Sequence, residues 1–121
     1  MAKILLVDDQ PDFLFSMQSI LMDEGYEVIT AESGMHALSL VEIERPDLVL
    51  TDIVMPDVSG LQLARILRAN SANKRIPIIS MTGYPFQDDI AAADTRLVDF
   101  YLTKPVQISD LLIAMTMCLE S

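Results

Sequence analysis

The chain has 121 residues, of which 51% are hydrophobic, enough for one domain with a real buried core. Its formal net charge of −10 argues against binding nucleic acid, whose phosphates need Lys and Arg, and fits meeting proteins or cations instead. The lone cysteine, Cys118, excludes an internal disulfide framework and fits a reducing compartment, with the thiol buried and structural.

The first apolar run, "KILLV" at 3–7, is too short for a signal peptide or a membrane span, so a cytoplasmic protein is expected. Further strand-like runs are "YEVIT" (26–30), "DLVLT" (47–51), "IPIIS" (76–80) and "VDFYL" (98–102). Four of the five are apolar nearly throughout, as in strands covered on both faces, whereas the second, with Glu27 and Thr30, reads as an edge strand.

Helical spacing fills the intervals. Phe13, Leu14, Met17, Ile20 and Leu21 lie on one helical face, with Pro11 in the first turn and Gly25 past the end. Ser33 can cap a second helix that turns Ala37, Leu38 and Val41 inward. Leu61, Ala64, Leu67 and Arg68 mark a third, and residues 86–95 a weaker fourth. Ile108, Leu111, Leu112, Met115 and Leu119 mark the fifth. Most of the eight methionines fall at helical spacing, which predicts core packing. Five strand–helix repeats without linker or low-complexity tract predict a single (βα)5 domain over 1–121, a doubly wound parallel sheet with right-handed crossovers.

In such sheets ligands bind beyond the carboxyl ends of the strands. There the sequence offers Asp8 and Asp9 after the first strand and Asp52 after the third. Thr82 and Gly83 follow the fourth, and Thr103, Lys104 and Pro105 the fifth. Three carboxylates crowded with one lysine need a counter-charge. All-oxygen ligands favour Mg²⁺, or Mn²⁺, while His36 and Cys118 are each alone and make no zinc site. A carboxylate screened by a metal can attack phosphorus, and Lys104 and Thr82 suit phosphoryl oxygens. Asp52 is therefore a candidate phosphoryl acceptor. Asp8 and Asp9 could also cap the first helix, Asp52 could merely end a strand, Thr82 could be a plain turn residue, and Lys104 could be an ordinary surface lysine.

These residues fall within "VDD" (7–9), "TDIVMPDVSG" (51–60), "MTGY" (81–84) and "YLTKP" (101–105), and with them the whole chain resembles the receiver domains of two-component response regulators. The resemblance implies a flavodoxin-like fold with strand order 2-1-3-4-5. It implies Asp52 as phosphoacceptor, charged by a histidine kinase or a histidine phosphotransfer protein. It implies Mg²⁺ held by Asp9, by Asp8 through water, by Asp52 and by the Val54 carbonyl. Thr82 and Lys104 would hold the phosphoryl group, Lys104–Pro105 would be cis, and Tyr101 would be the switch aromatic. The surface of the fourth helix, fifth strand and fifth helix would then change for a downstream effector. Tyr101 could equally be a half-buried strand aromatic.

Val54 and Tyr84 depart from the commoner pattern, and their side chains are poorly suited to orienting an attacking water, so a slow loss of the phosphoryl group is expected. Val54 also stands where aspartyl phosphatases resembling haloacid dehalogenases carry their general acid, so no enzyme beyond self-phosphorylation and self-dephosphorylation is expected. A flavodoxin-like phosphate carrier is disfavoured because Asp8 and Asp9 would repel its ligand. The remaining alternative is a phosphorylation-independent interaction module. The "MAK" start suggests an N-terminal position, and the chain could be free-standing or cut from a longer regulator or hybrid kinase. A monomer or weak dimer is expected, with Asp88, Asp89, Asp94 and Arg96 near one possible dimer face.

Overall fold

The structure, a computed structural model, describes residues 1–53, 55, 57–83 and 97–120. Five strands form one parallel sheet: β1 (Lys3–Val7), β2 (Glu27–Ala31), β3 (Leu48–Asp52), β4 (Ile78–Thr82) and β5 (Phe100–Thr103). Their order is β2-β1-β3-β4-β5, so β2 is an edge strand as its composition predicts. Four helices are described: α1 (Pro11–Asp23), α2 (Gly34–Glu44), α3 (Gly60–Ala69) and α4 (Ile108–Glu120). The sequence counts α4 as its fifth helix. The predicted helix at 86–95, and the residues Asp88, Asp89, Asp94 and Arg96, lie outside the described residues.

Successive strand residues face opposite sides of a sheet, and each side here has its own core. Ile4, Leu6, Leu50, Ile79 and Met81 pack with Leu14, Met17 and Leu21 of α1 and Leu111 and Met115 of α4. Leu5, Val7, Val49 and Ile78 pack with Ala37 and Val41 of α2 and Leu63 and Leu67 of α3. Each fully buried Leu or Ile contributes about 2 kcal/mol of transfer free energy, which is what fixes the register.

Apolar composition locates the strands but not their ends. The first matches residue for residue, while the other four begin one or two residues later than predicted. Thr51 and Asp52 are still in the ladder, opposite Ser80 and Met81, because backbone pairing continues past the last aliphatic side chain. Two further expectations are corrected. Met17, Met55, Met81 and Met115 are core residues, but Met1, Met22, Met35 and Met117 are exposed, since helical spacing also places residues on the solvent face. In α3 the buried set includes Leu63, which the predicted face omits.

Candidate functional site at the carboxyl edge of the sheet

Parallel pairing brings the ends of β1 and β3 side by side, and the acids there inherit that spacing. Asp8 is fully buried, and its backbone N–H donates to Ala31 O at 3.1 Å. Its Oδ1 accepts the Gln10 N–H at 2.9 Å, so Asp8 does brace the start of α1. The N-cap itself, Gln10, makes no side-chain cap bond, and Pro11 follows it in the first turn as predicted. Asp9 is half-buried and Asp52 has a side-chain exposure of 13%. Carboxylate oxygens of Asp8, Asp9 and Asp52 lie within 4.8 Å of one another.

Lys104 enters this cluster from just beyond β5. Its Nζ donates to Asp8 Oδ2 at 2.9 Å and to Asp52 Oδ2 at 3.2 Å. The same Nζ stands 4.6 Å from the centroid of the Phe13 ring, whose face attracts a cation. Burial alone would lower the Lys104 pKa. The hydrogen bond to Asp8 and the charge of Asp52 outweigh it and hold the ammonium above its ordinary value. The Lys104–Pro105 bond is cis, as the resemblance implies.

Thr82 ends β4 almost fully buried, and the Lys104 backbone N–H donates to its carbonyl at 2.6 Å. Its hydroxyl makes a long 3.4 Å contact with Gly83 O. Tyr101 is half-buried and packs on the α2–α3 side of the sheet, paired in register with Ser80. Side-chain alternation puts Tyr101, Ser80 and Thr82 on that same side. The Ser80 hydroxyl is buried without a hydrogen bond among the described residues. Val54 and Tyr84 lie outside the described residues.

His36 and Cys118 stay apart from the site. His36 is exposed on α2, its backbone N–H bonded to the Ser33 cap. Cys118 is buried in the α1–α4 core, its thiol pushed up to about 11 by burial and, secondarily, by Asp99.

Three contributors escape the sequence reading. Gly60 opens α3 directly against β3: a Cβ there would strike the Asp52 carbonyl oxygen and come within 2.9 Å of Ile53 Cα. Its N–H donates to Ile53 O at 2.8 Å, which folds the loop back on the strand end. Ser59 and Gln62 form a capping box around the same turn, and that Ser-x-x-Gln spacing is a readable signal. Asp57 accepts from Gly34 N at 3.1 Å and Met35 N at 3.0 Å, bonds between segments far apart in the chain that no local pattern announces. Its carboxyl is held below the usual range by backbone N–H groups, that of Val58 foremost and then those of Met35 and Gly34.

This geometry agrees with the model of a known family, the response regulator receiver domain, which matches residues 4–116. The chain belongs to that family. It is 38% identical over 112 residues to the protein PilH of Pseudomonas aeruginosa, a match covering 93% of both chains. A receiver domain protein from Clostridium thermocellum superposes with a TM-score of 0.92 at 31% identity, over 99% of this chain and 95% of that one. The chemotaxis response regulator CheY4 of Vibrio cholerae superposes with a TM-score of 0.88 at 30% identity, over 98% and 99%. As a receiver domain the chain is a part of two-component signalling, a class that works with histidine kinases and effectors and generally uses Mg²⁺. No helix among the described residues is long and apolar enough to cross a membrane.

Proposed function

We propose that Asp52 accepts a phosphoryl group from a histidine kinase or a histidine phosphotransfer protein, with Mg²⁺ bound beside it, and that the modified domain then engages a downstream effector. One observation carries the reading: Lys104 Nζ bridges Asp8 and Asp52 inside a group of three carboxylates whose oxygens lie within 4.8 Å of one another. The cluster keeps a net −2 after Lys104 is counted, and its all-oxygen donor set fits a hard divalent cation.

Asp9, Asp8, Asp52 and the Val54 carbonyl are the proposed holders of the ion. Asp8 already receives Gln10 N–H and Lys104, which suits a role through water. When bound, Mg²⁺ (or Mn²⁺) supplies positive charge that offsets the phosphoryl oxygens and the carboxylates. An Asp52 carboxylate oxygen forms the new P–O bond as the donor's P–N bond breaks, and the donor imidazole leaves with the electron pair. Lys104, held charged, is placed to stay with a phosphoryl oxygen, and the Thr82 hydroxyl can donate to another. Drawing Thr82 forward leaves room on its side of the sheet for the Tyr101 ring, which shifts the population of the surface built by the predicted fourth helix, β5 and α4. The chemistry ends at self-phosphorylation and self-dephosphorylation, and Val54 and Tyr84 slow the latter. We place the protein in the cytoplasm, as a monomer or weak dimer.

The test is intact-mass spectrometry after incubation with a small acyl phosphate, with and without Mg²⁺. Wild type gains one phosphoryl group only with Mg²⁺, and Asp52→Asn gains none. A folded wild type that gains nothing from either the acyl phosphate or a cognate kinase instead identifies a phosphorylation-independent interaction module.

A further inference from the structure

We infer that Asp57 is a positioning residue for the metal site: it fastens the loop that leaves Asp52 to the N-terminus of α2 and so holds that loop in the shape the ion requires. The inference rests on the proposed Mg²⁺ role of the Asp52 cluster.

The first N–H groups of a helix need partners from outside its own ladder. In α2 the Ser33 hydroxyl takes the N–H of His36, and the Ser33 carbonyl takes that of Ala37. Gly34 and Met35 remain, and both donate to the carboxylate of Asp57, one to each oxygen. The contact is close as well as polar. A Cβ on Gly34 would lie 2.6 Å from both Val58 Cβ and the Val58 carbonyl oxygen, so the loop backbone rests directly on the helix end.

The two sides of this contact are not equally fixed. α2 is anchored independently, by its Ser33 cap and by Ala37 and Val41 in the core. Just past β3, Ile53 still donates its N–H to Met81 O at 3.1 Å. Gly60 N–H donates back to Ile53 O, and the side chains of Ile53 and Met55 are buried, while Asp57 and Val58 meet α2. Asp57 adds a polar tie between its own stretch of the loop and α2, which stops that stretch lifting away from the helix end. Asp57 stands five residues beyond Asp52 in the chain, so its tie acts on the segment that leaves the carboxylate cluster.

The experiment is an amide NMR titration with magnesium chloride on nitrogen-labelled protein, which also reports whether each variant is folded. Asp57→Ala should bind Mg²⁺ about tenfold more weakly than wild type, the lower end of the range for residues that orient a metal site from behind. Asp57→Asn, which keeps one acceptor oxygen, should recover part of that loss. Ser33→Ala removes a different bond from the same helix end and should leave Mg²⁺ affinity unchanged while weakening α2. Hydrogen exchange at the Gly34 and Met35 amides should quicken in Asp57→Ala. Equal Mg²⁺ affinity in wild type and Asp57→Ala would overturn the inference alone, as would an equal loss in Ser33→Ala. A wild type whose amides ignore Mg²⁺ would overturn the proposed function and this inference together.

Discussion

Among the described residues Lys104 is the one cation beside three crowded carboxylates, and removing an acid or removing the lysine should act in opposite directions. Asp52→Asn relieves repulsion while Lys104 keeps its bond to fully buried Asp8. Without Mg²⁺ the variant should be more stable than wild type by about 1 kcal/mol in urea unfolding, a common cost of a charged functional site. Lys104→Met should destabilise, because the buried Asp8 carboxyl loses its ammonium partner. The Lys104 pKa lies above its ordinary 10.5 in the folded protein, so its stabilising contribution is complete below that value and lost as pH rises through the higher folded value. Unfolding curves of wild type and Lys104→Met should therefore stay a constant distance apart from neutral pH to about 10.5 and converge above it. Asp8, Asp9, Asp52, Thr82 and Lys104 are readable in the sequence because each lies within two residues of the end of an apolar run. Asp57 is not, because its partners sit 22 and 23 residues away on another element. Phe13 reads only as a core-facing helical residue, whereas its ring also carries the Lys104 ammonium.

At the scale of elements, α3 is a strut with a fastening at each end. Its first residue, Gly60, lies against the Asp52 backbone, and Arg68 near its last turn reaches across to the entries of β4 and β5. Arg68 donates to the carbonyls of Leu97, Lys74 and Ile76 and to the Asp99 carboxylate, which also takes the Ile78 N–H. That explains why a charged residue falls on the helix face that apolar spacing predicts to be inward. Arg68→Met keeps much of the volume and loses every one of these bonds. It should cost about 2–3 kcal/mol in urea unfolding, since bonds to a charged donor are worth more than neutral ones and the carbonyls it leaves are partly buried. For the described residues, helix and strand identities are readable from hydrophobic periodicity. Strand ends were not, because Asp52 and Thr82 remain in the ladder by backbone pairing that side-chain polarity does not report.

At the scale of the whole molecule, alternation of strands and helices dictates a two-faced parallel sheet, but it does not order the strands. The order β2-β1-β3-β4-β5 follows from the family resemblance and is what sets β1 beside β3 and Asp8 beside Asp52. A chain with a net charge of −10 concentrates three acids at one sheet edge, an arrangement that the proposed phosphoryl transfer onto Asp52 would account for. The most direct test is borohydride reduction of the protein after treatment with an acyl phosphate and Mg²⁺, followed by peptide sequencing. Reduction converts an aspartyl phosphate to homoserine where the phosphoryl group sat. Homoserine at position 52 alone is the expected result, and homoserine at position 8 or 9, or a phosphoryl group on a side chain other than aspartate, would contradict it.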